Sequence, residues 1–141
     1  MRLQPLLVSA LFSTLPISGY AAEIKCPDSI TETPHVSSVA KSWKVVSIPG
    51  VRSLEQAGIY FGNPVELGAQ VPDSTKEVKA KETSTWRLIR SKGDEFWIGC
   101  SYTGTTAMYF QKVSGNITEC AVSYDLLPTG RRQRLSAIDC R

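Results

Sequence analysis

The C-terminal half of the chain alternates between hydrophobic and polar positions with a period of two. In Glu95–Tyr102, every second residue from Phe96 to Tyr102 is hydrophobic. This pattern is typical of a strand with one buried face, and short glycine-containing turns separate the alternating segments. It predicts a mainly β, single-domain fold built as an antiparallel meander or sandwich. The predicted strands are Thr83–Arg90, Glu95–Tyr102, Thr105–Lys112, Ile117–Asp125 and Arg134–Cys140.

The N-terminal half is less regular, and its strands are predicted from short runs of β-branched and aromatic residues. Pro27–Thr31 is interpreted as a first strand or an extended arm. Trp43–Ile48 is interpreted as a strand that ends at Pro49, because proline followed by glycine is typical of a turn. A further strand is predicted near Ile59–Phe61.

The most irregular stretch is Gly62–Glu82, which contains several prolines and glycines and ends in a run of lysines and glutamates. It predicts a long surface loop with a short helical turn at Val65–Leu67. Long loops in compact domains often carry function, and a solvated connection is an equally good interpretation of this one.

The N-terminus has the three parts of a secretory signal peptide. Arg2 precedes the apolar stretch Pro5–Ile17, and the small residues Gly19 and Ala21 lie at the two positions where signal peptidase needs small side chains. The apolar stretch is shorter than the roughly 20 residues of a transmembrane helix, which favours a cleavable signal over an anchor. We therefore expect residues 1–21 to be removed and residues 22–141 to form one domain in the periplasm, with no membrane anchor after cleavage.

The chain has four cysteines, and their even number in a small exported domain predicts two disulfides. They are too far apart in sequence for a typical zinc site, and the paired motif of thiol oxidoreductases is absent. The sequence alone allows three pairings of Cys26, Cys100, Cys120 and Cys140.

The register of the last hairpin favours one of these pairings. A hairpin centred on Gly130 would place Cys120 opposite Cys140, which leaves Cys26 to pair with Cys100. The same register predicts two further cross-strand pairs, Val122 with Ile138 and Tyr124 with Ser136.

No motif in the chain encodes a reaction. His35 is the only histidine, and no Gly-x-Ser-x-Gly segment presents a serine beside it. If all four cysteines are bridged, none is free to act as a nucleophile, and the carboxylates share no recognisable motif. We therefore expect no enzymatic activity, no catalytic residues, no cofactor and no metal.

The charge of the chain is a weak indicator of its partner. The net charge is +3, which falls by one when Arg2 is removed and does not indicate a nucleic-acid partner. The densest positive cluster lies in the predicted last turn, where it would suit an acidic partner surface, anionic lipid or peptidoglycan, or simply be solvated. This cluster consists of Arg131, Arg132 and Arg134.

The three tryptophans offer a second possible contact. Trp43, Trp86 and Trp97 would suit a groove for stacking sugars, but in strands they are more often core or rim residues. Trp97 alternates away from the hydrophobic face of its strand, which makes it the strongest candidate. The residues predicted to contact a partner are Trp97, Arg131, Arg132 and Arg134, with Asp73 and Lys76 from the long loop.

A set of residues spread over nearly the whole mature chain carries a family resemblance. It includes Cys26-Pro27, Trp43, Ile59–Pro64 and, as its most specific part, the W-x-x-C-x-Y-x-G-T segment Trp97–Thr105. With these residues the chain resembles a family of small exported Gram-negative proteins. Some of its members are encoded beside type VI secretion effectors that attack the cell wall. A weaker likeness is to the periplasmic inhibitors of lysozyme.

The resemblance implies a periplasmic inhibitor or immunity protein directed against a peptidoglycan-degrading effector or hydrolase. Two other functions are open: an envelope module that binds a glycan or peptide through the tryptophans, and an unrecognised hydrolase that uses His35 or a carboxylate pair.

Overall fold

The computed structural model describes residues 23–33, 35, 46 and 48–141. Within these residues the chain forms eight strands and one short 3-10 turn, which confirms the mainly β prediction. None of its described segments is a helix long and apolar enough to cross a membrane. The strands are β1 (Ser29–Glu32), β2 (Gly50–Phe61), β3 (Ser74–Val78), β4 (Lys81–Arg87), β5 (Phe96–Tyr102), β6 (Met108–Lys112), β7 (Glu119–Leu126) and β8 (Arg132–Cys140).

The strands form two antiparallel four-stranded sheets. The first sheet has the order β1-β2-β5-β6, and the second has the order β3-β4-β7-β8. The predicted C-terminal strands are present, but they do not form one continuous meander. β4 pairs with β7 instead of β5, and β5 pairs with β2. Period-two alternation indicates a strand and its buried face, but it carries no information about the neighbouring strand.

The N-terminal strands differ in extent from the predictions. β1 confirms the strand expected around Pro27–Thr31, whereas Trp43–Ile48 lies largely outside the described residues. β2 begins at Gly50, so the Pro49-Gly50 pair leads into a strand. β2 is twelve residues long because its first part pairs with β1 and the rest pairs with β5, and a bulge between Leu54 and Gln56 shifts its register.

The prediction of one long loop over Gly62–Glu82 is wrong for its second half. There β3 and the start of β4 form a hairpin that turns at residues 79–80. All five side chains of β3 are exposed, so the strand has no hydrophobic alternation by which it could be predicted. The first half, residues 62–73, is irregular and contains the 3-10 turn Pro64–Glu66 near the expected helical turn.

One hydrophobic core is shared by both sheets. The hydrophobic residues of β5 are buried as their alternation predicted, and so is every second residue of β7. The largest side chains that are almost completely buried are Tyr102, Tyr124, Ile59, Ile98, Val113 and Val122.

Both predicted disulfides are present. Cys26–Cys100 joins the segment before β1 to β5, and Cys120–Cys140 joins β7 to β8. The predicted register holds at Cys120 and at the next pair, Val122 with Ile138. Beyond that point Tyr124 lies opposite Leu135 and not opposite Ser136, because Ser136 is an extra, bulged residue of β8 between the partners of Ser123 and Tyr124.

Candidate partner-binding surface

Two hairpin turns lie side by side at one end of the second sheet. The β3–β4 turn is at residues 79–80 and the β7–β8 turn at residues 127–131. They are neighbours because β4 pairs with β7, and the Leu126 N–H donates to the Ala80 carbonyl at 2.8 Å. The fold therefore brings together two segments that are about fifty residues apart in sequence. We call this region the hairpin end.

The hairpin end is basic. Six cations lie within its turns and the adjacent strand residues, compared with three carboxylates. Positive residues that are predicted from two separate parts of the chain, Lys76 and the arginine cluster, thus belong to one region. The cations are Lys76, Lys79, Lys81, Arg131, Arg132 and Arg134, and the carboxylates are Glu77, Glu82 and Asp125.

Two of the arginines are fixed by carboxylates of the same sheet. The Arg132 guanidinium donates through Nε and Nη2 to Glu82 Oε1 at 2.8 and 2.5 Å. Arg134 Nε donates to Asp125 Oδ2 at 2.7 Å. This hydrogen bond from Arg134 is the main cause that lowers the pKa of the Asp125 carboxyl below its ordinary value. Arg132 and Arg134 are therefore already neutralised within the sheet.

Arg132 also connects the hairpin end to the core. Its guanidinium lies over the Tyr124 ring, 4.3 Å from the ring centroid. Tyr124 is almost completely buried, and burial raises the pKa of its phenol. Arg132 therefore has little freedom to move, because the Tyr124 ring packs against one face of its guanidinium and the Glu82 carboxylate bonds its edge.

The other cations are less constrained. Among the described residues, Lys76, Lys79 and Arg131 form no ion pair. On the outer face of the sheet, the β3–β4 hairpin encloses an open depression of about 570 Å³ that we call the lysine depression. Val78, in its lining, is 66% exposed. The lining residues are Lys76, Val78, Lys79, Ala80, Lys81 and Thr83.

A second exposed feature is the loop over residues 62–73. It presents Val65 and Val71 to solvent, with 85% and 87% of their surfaces exposed. The loop is held in place by the sheets: the Phe61 N–H donates to the Gly68 carbonyl at 2.9 Å, and the Trp86 indole donates to the Gln70 carbonyl at 2.9 Å. No motif predicted this combination of exposed valines on a fixed backbone.

Asp73 closes the same loop. Its carboxylate accepts a hydrogen bond from the Arg87 N–H at 2.7 Å, and its own N–H donates to the Thr85 carbonyl at 2.9 Å. Its second carboxylate oxygen lies 3.8 Å from the Arg87 guanidinium. These contacts give Asp73 a role in holding the chain where the loop enters β3.

The two described tryptophans lie in different sheets. Trp86 is buried in the second sheet and has its indole N–H bonded to a backbone carbonyl, so its ring is not available to stack on a sugar. Trp97 is half-buried in the first sheet, and the Lys112 ammonium lies 5.8 Å from its ring centroid. The structure does not bring Trp97 to the hairpin end. Trp43 lies outside the described residues.

His35 offers no recognisable catalytic arrangement. It lines a wide, open depression together with Glu32 and Arg52, which form an ion pair at 3.6 Å. None of the four cysteines is free, since all are bridged. In the part of the chain described by the structure, no group of three or more potential ligands is placed to hold a metal ion.

Comparison with known proteins shows that the chain matches a protein family. A family model described as "Type VI secretion system Tli immunity protein" matches residues 49–141, which is well over half of the chain. The match confirms the resemblance to an immunity-like family that the tryptophan and cysteine motif indicated. No curated protein and no solved structure matches the chain.

Proposed function

This chain belongs to the Type VI secretion system Tli immunity protein family, and on that premise we propose that it acts in the periplasm by binding and blocking a secreted effector enzyme. The family match over residues 49–141 is the observation that carries this proposal. An immunity protein of a secretion system has a protein as its partner. The proposal therefore places the function in a binding surface.

The periplasmic location is supported by the chemistry of the chain. Two disulfides that use all four cysteines are typical of an oxidising compartment. The apolar stretch Pro5–Ile17, followed by the small residues Gly19 and Ala21 before the expected cut, is typical of a cleaved export signal. We propose that residues 22–141 form the mature, unanchored domain.

The proposed mechanism is inhibition by occupation, without catalysis by this chain. Two sheets share one core, and each has a disulfide that restrains it. Such a scaffold loses little conformational entropy when it binds, so a larger share of the contact energy remains as affinity. An inhibitor of this kind covers the effector's active site or holds its substrate away.

We propose an enzyme of the cell envelope as the target, and a peptidoglycan-degrading effector as the first class to test. An immunity protein protects its own cell only where the effector acts, and peptidoglycan lies in the compartment to which this chain is addressed. The proposed contacts are those expected from the sequence: Trp97, Arg131, Arg132, Arg134, Asp73 and Lys76.

The decisive experiment uses residues 22–141 purified with both disulfides intact and an effector of the type VI secretion system that the family description implies as partner. Complex formation is measured by calorimetry, and the effector's hydrolysis of purified peptidoglycan and of phospholipid vesicles is measured with and without the protein. A stoichiometric complex that abolishes peptidoglycan hydrolysis supports the whole proposal. Inhibition of lipid hydrolysis instead supports the immunity function and removes peptidoglycan as the substrate. Absence of a complex contradicts the proposal.

A further inference from the structure

We propose that the hairpin end is the effector-binding surface, and that it recognises a carboxylate-rich surface from which a small apolar side chain enters the lysine depression. This inference rests on the proposed function, because it names the contact face of an effector-binding protein. It also revises the contacts expected from the sequence: Lys76 and Arg131 remain contacts and Lys79 is added. Arg132 and Arg134 hold the surface in shape.

The first argument is the distribution of charge. Arg132 and Arg134 are matched by Glu82 and Asp125, but the remaining cations of the hairpin end exceed its remaining carboxylate, Glu77. An excess of exposed positive charge at one end of a small domain attracts an acidic partner and orients it during encounter. A partner with carboxylates at this surface would supply the missing counter-charges.

The second argument is the apolar floor of the depression. Val78 is 66% exposed between lysines, and Ala80 and Thr83 complete the uncharged part of the lining, which contains no aromatic residue. Specific interfaces combine an apolar centre, which loses its water on binding, with a charged rim. The β3–β4 hairpin has this arrangement, with Val78 at the centre and Lys76 at the rim.

The third argument is the backbone at Lys79. Its φ is +56°, in the left-handed region where glycine is favoured and a lysine is uncommon. Residues held in such conformations are concentrated at functional sites, because local strain is tolerated where a particular side chain is needed. The turn therefore has a lysine where glycine would be less strained, and it places that lysine beside the depression.

The surface is also fixed in shape. The β7–β8 turn is closed by the Gly130 N–H, which donates to the Leu127 carbonyl at 2.8 Å, and by the Leu127 N–H, which donates to the Arg131 carbonyl at 2.8 Å. The bond from Leu126 to Ala80 ties this turn to the β3–β4 turn. A surface formed by two mutually bonded turns needs little ordering on binding.

A protein partner fits these observations better than a membrane. Three carboxylates are interleaved with the six cations, which weakens the uniform positive field that an anionic lipid surface would require. A patterned surface with both signs of charge around an apolar centre suits a partner with a complementary pattern. Binding to anionic vesicles is therefore an outcome that the experiment must distinguish.

The experiment compares the mature, oxidised chain with Lys79→Gly, with Lys79→Glu/Arg131→Glu, and with the control Lys92→Glu. Lys92 is an exposed lysine in the turn that follows the opposite end of β4. The dissociation constant and association rate with the same effector are measured at low and physiological ionic strength. Thermal unfolding shows that each variant is folded.

The charge-reversal pair should bind on the order of a hundredfold more weakly, mainly through slower association and with less dependence on salt. Lys79→Gly should bind on the order of tenfold more weakly while its melting temperature stays equal or rises, because glycine relieves the strained φ. That opposite movement of affinity and stability is not expected of a merely structural residue. Lys92→Glu should bind as the wild type does.

Wild-type affinity in both hairpin variants would overturn the inference and leave the immunity function intact. Equal weakening by Lys92→Glu would also overturn it, because the effect would then reflect only net charge. If the unmodified chain forms no complex, the proposed function itself fails. The inference would also be overturned if the chain binds vesicles that contain phosphatidylglycerol, loses this binding in the charge-reversal pair and does not bind the effector. The partner of the hairpin end would then be a membrane and not a protein.

Discussion

The phenol of Tyr124 in β7 makes two hydrogen bonds with one residue of β2, Ala57. It accepts from the Ala57 N–H at 2.8 Å and donates to the Ala57 carbonyl at 2.9 Å. The Tyr124 hydroxyl thus satisfies the two backbone groups of Ala57 that a neighbouring strand would otherwise bond, and it joins the two sheets through the core. The same ring supports the Arg132 guanidinium, so the bond between the sheets and the shape of the hairpin end depend on one residue.

Tyr124→Phe should lower the free energy of unfolding by about 2–3 kcal/mol. The variant leaves both backbone groups of Ala57 without their partner in a part-buried site, and unsatisfied groups of this kind cost about 1–3 kcal/mol each. Urea denaturation of the oxidised protein measures the change. Tyr109→Phe is the control, because Tyr109 is 51% exposed and should change stability by less than about 0.5 kcal/mol. Equal effects in the two variants would contradict the role assigned to the Tyr124 hydroxyl.

Gly99→Ala should destabilise the first sheet by about 1–3 kcal/mol through overpacking. A Cβ at Gly99 would lie 2.4 Å from Tyr60 Cε2 and 2.8 Å from Phe110 Cε1. These two rings meet edge to face over the glycine, with centroids 5.1 Å apart. Gly58 is opposite Gly99 in the register, and a Cβ there meets nothing within 4 Å.

The two glycines therefore form a matched pair for chemical denaturation. Gly58→Ala should keep the wild-type midpoint or raise it slightly, since alanine restricts the unfolded chain. If the Gly99→Ala protein is as stable as the Gly58→Ala protein, the rings of Tyr60 and Phe110 move aside without lowering the free energy of unfolding, and the prediction is wrong.

Asp125 should make stability depend on pH in the acidic range. Its pKa in the folded protein is below its ordinary value of 3.8, chiefly because Arg134 donates a hydrogen bond to the carboxylate. A lowered pKa means that the stabilisation is complete above the unfolded pKa and is lost as pH falls through the folded pKa. The stability difference between wild type and Asp125→Asn should therefore shrink below about pH 4.

Denaturation midpoints collected from pH 7 to pH 2 measure this difference. Asp139→Asn is the control, because Asp139 is an exposed carboxylate of the same sheet that forms no ion pair with any residue in the described ranges. A pH-independent difference for Asp125→Asn would mean that the Arg134 contact does not stabilise the fold.

The two disulfides should differ in their contribution to stability. Chain-entropy arguments give about 4.5 kcal/mol for the bridge that spans 74 residues and about 3 kcal/mol for the bridge that spans 20. Cys26→Ala/Cys100→Ala should therefore unfold at a lower urea concentration than Cys120→Ala/Cys140→Ala. Alanine is chosen because the sites are largely buried and should not receive a hydroxyl. The reverse order of midpoints would show that native packing around the bridges outweighs loop length.

The parts of the fold that are predictable from sequence are those that hydrophobic burial determines. Alternation in β5 and β7 and the register around Cys120 follow from residues that must face the core. β3 could not be predicted, because its side chains are all exposed and its stability comes from backbone pairing with β4. The assignment of β4 and β5 to different sheets depends on long-range pairing, for which the sequence offers no local signal.

The candidate surface was predictable only in part. The arginine cluster and Lys76 stand out as charges in turn-rich segments, but their proximity depends on the pairing of β4 with β7. Lys79 gives no signal, since a positive φ cannot be inferred from a lysine. Trp97 was selected for its place on the polar face of its strand, and that alternation does not indicate how far it lies from the hairpin end.

The two disulfides join cysteines that are consecutive along the chain, the first with the second and the third with the fourth. A polypeptide that enters an oxidising compartment N-terminus first exposes its thiols in that same order. An oxidase that couples each new thiol to the one still unpaired therefore makes both native bonds directly. If the chain is exported as proposed, we expect its maturation to need a source of oxidising equivalents and no isomerase to rearrange mispaired disulfides.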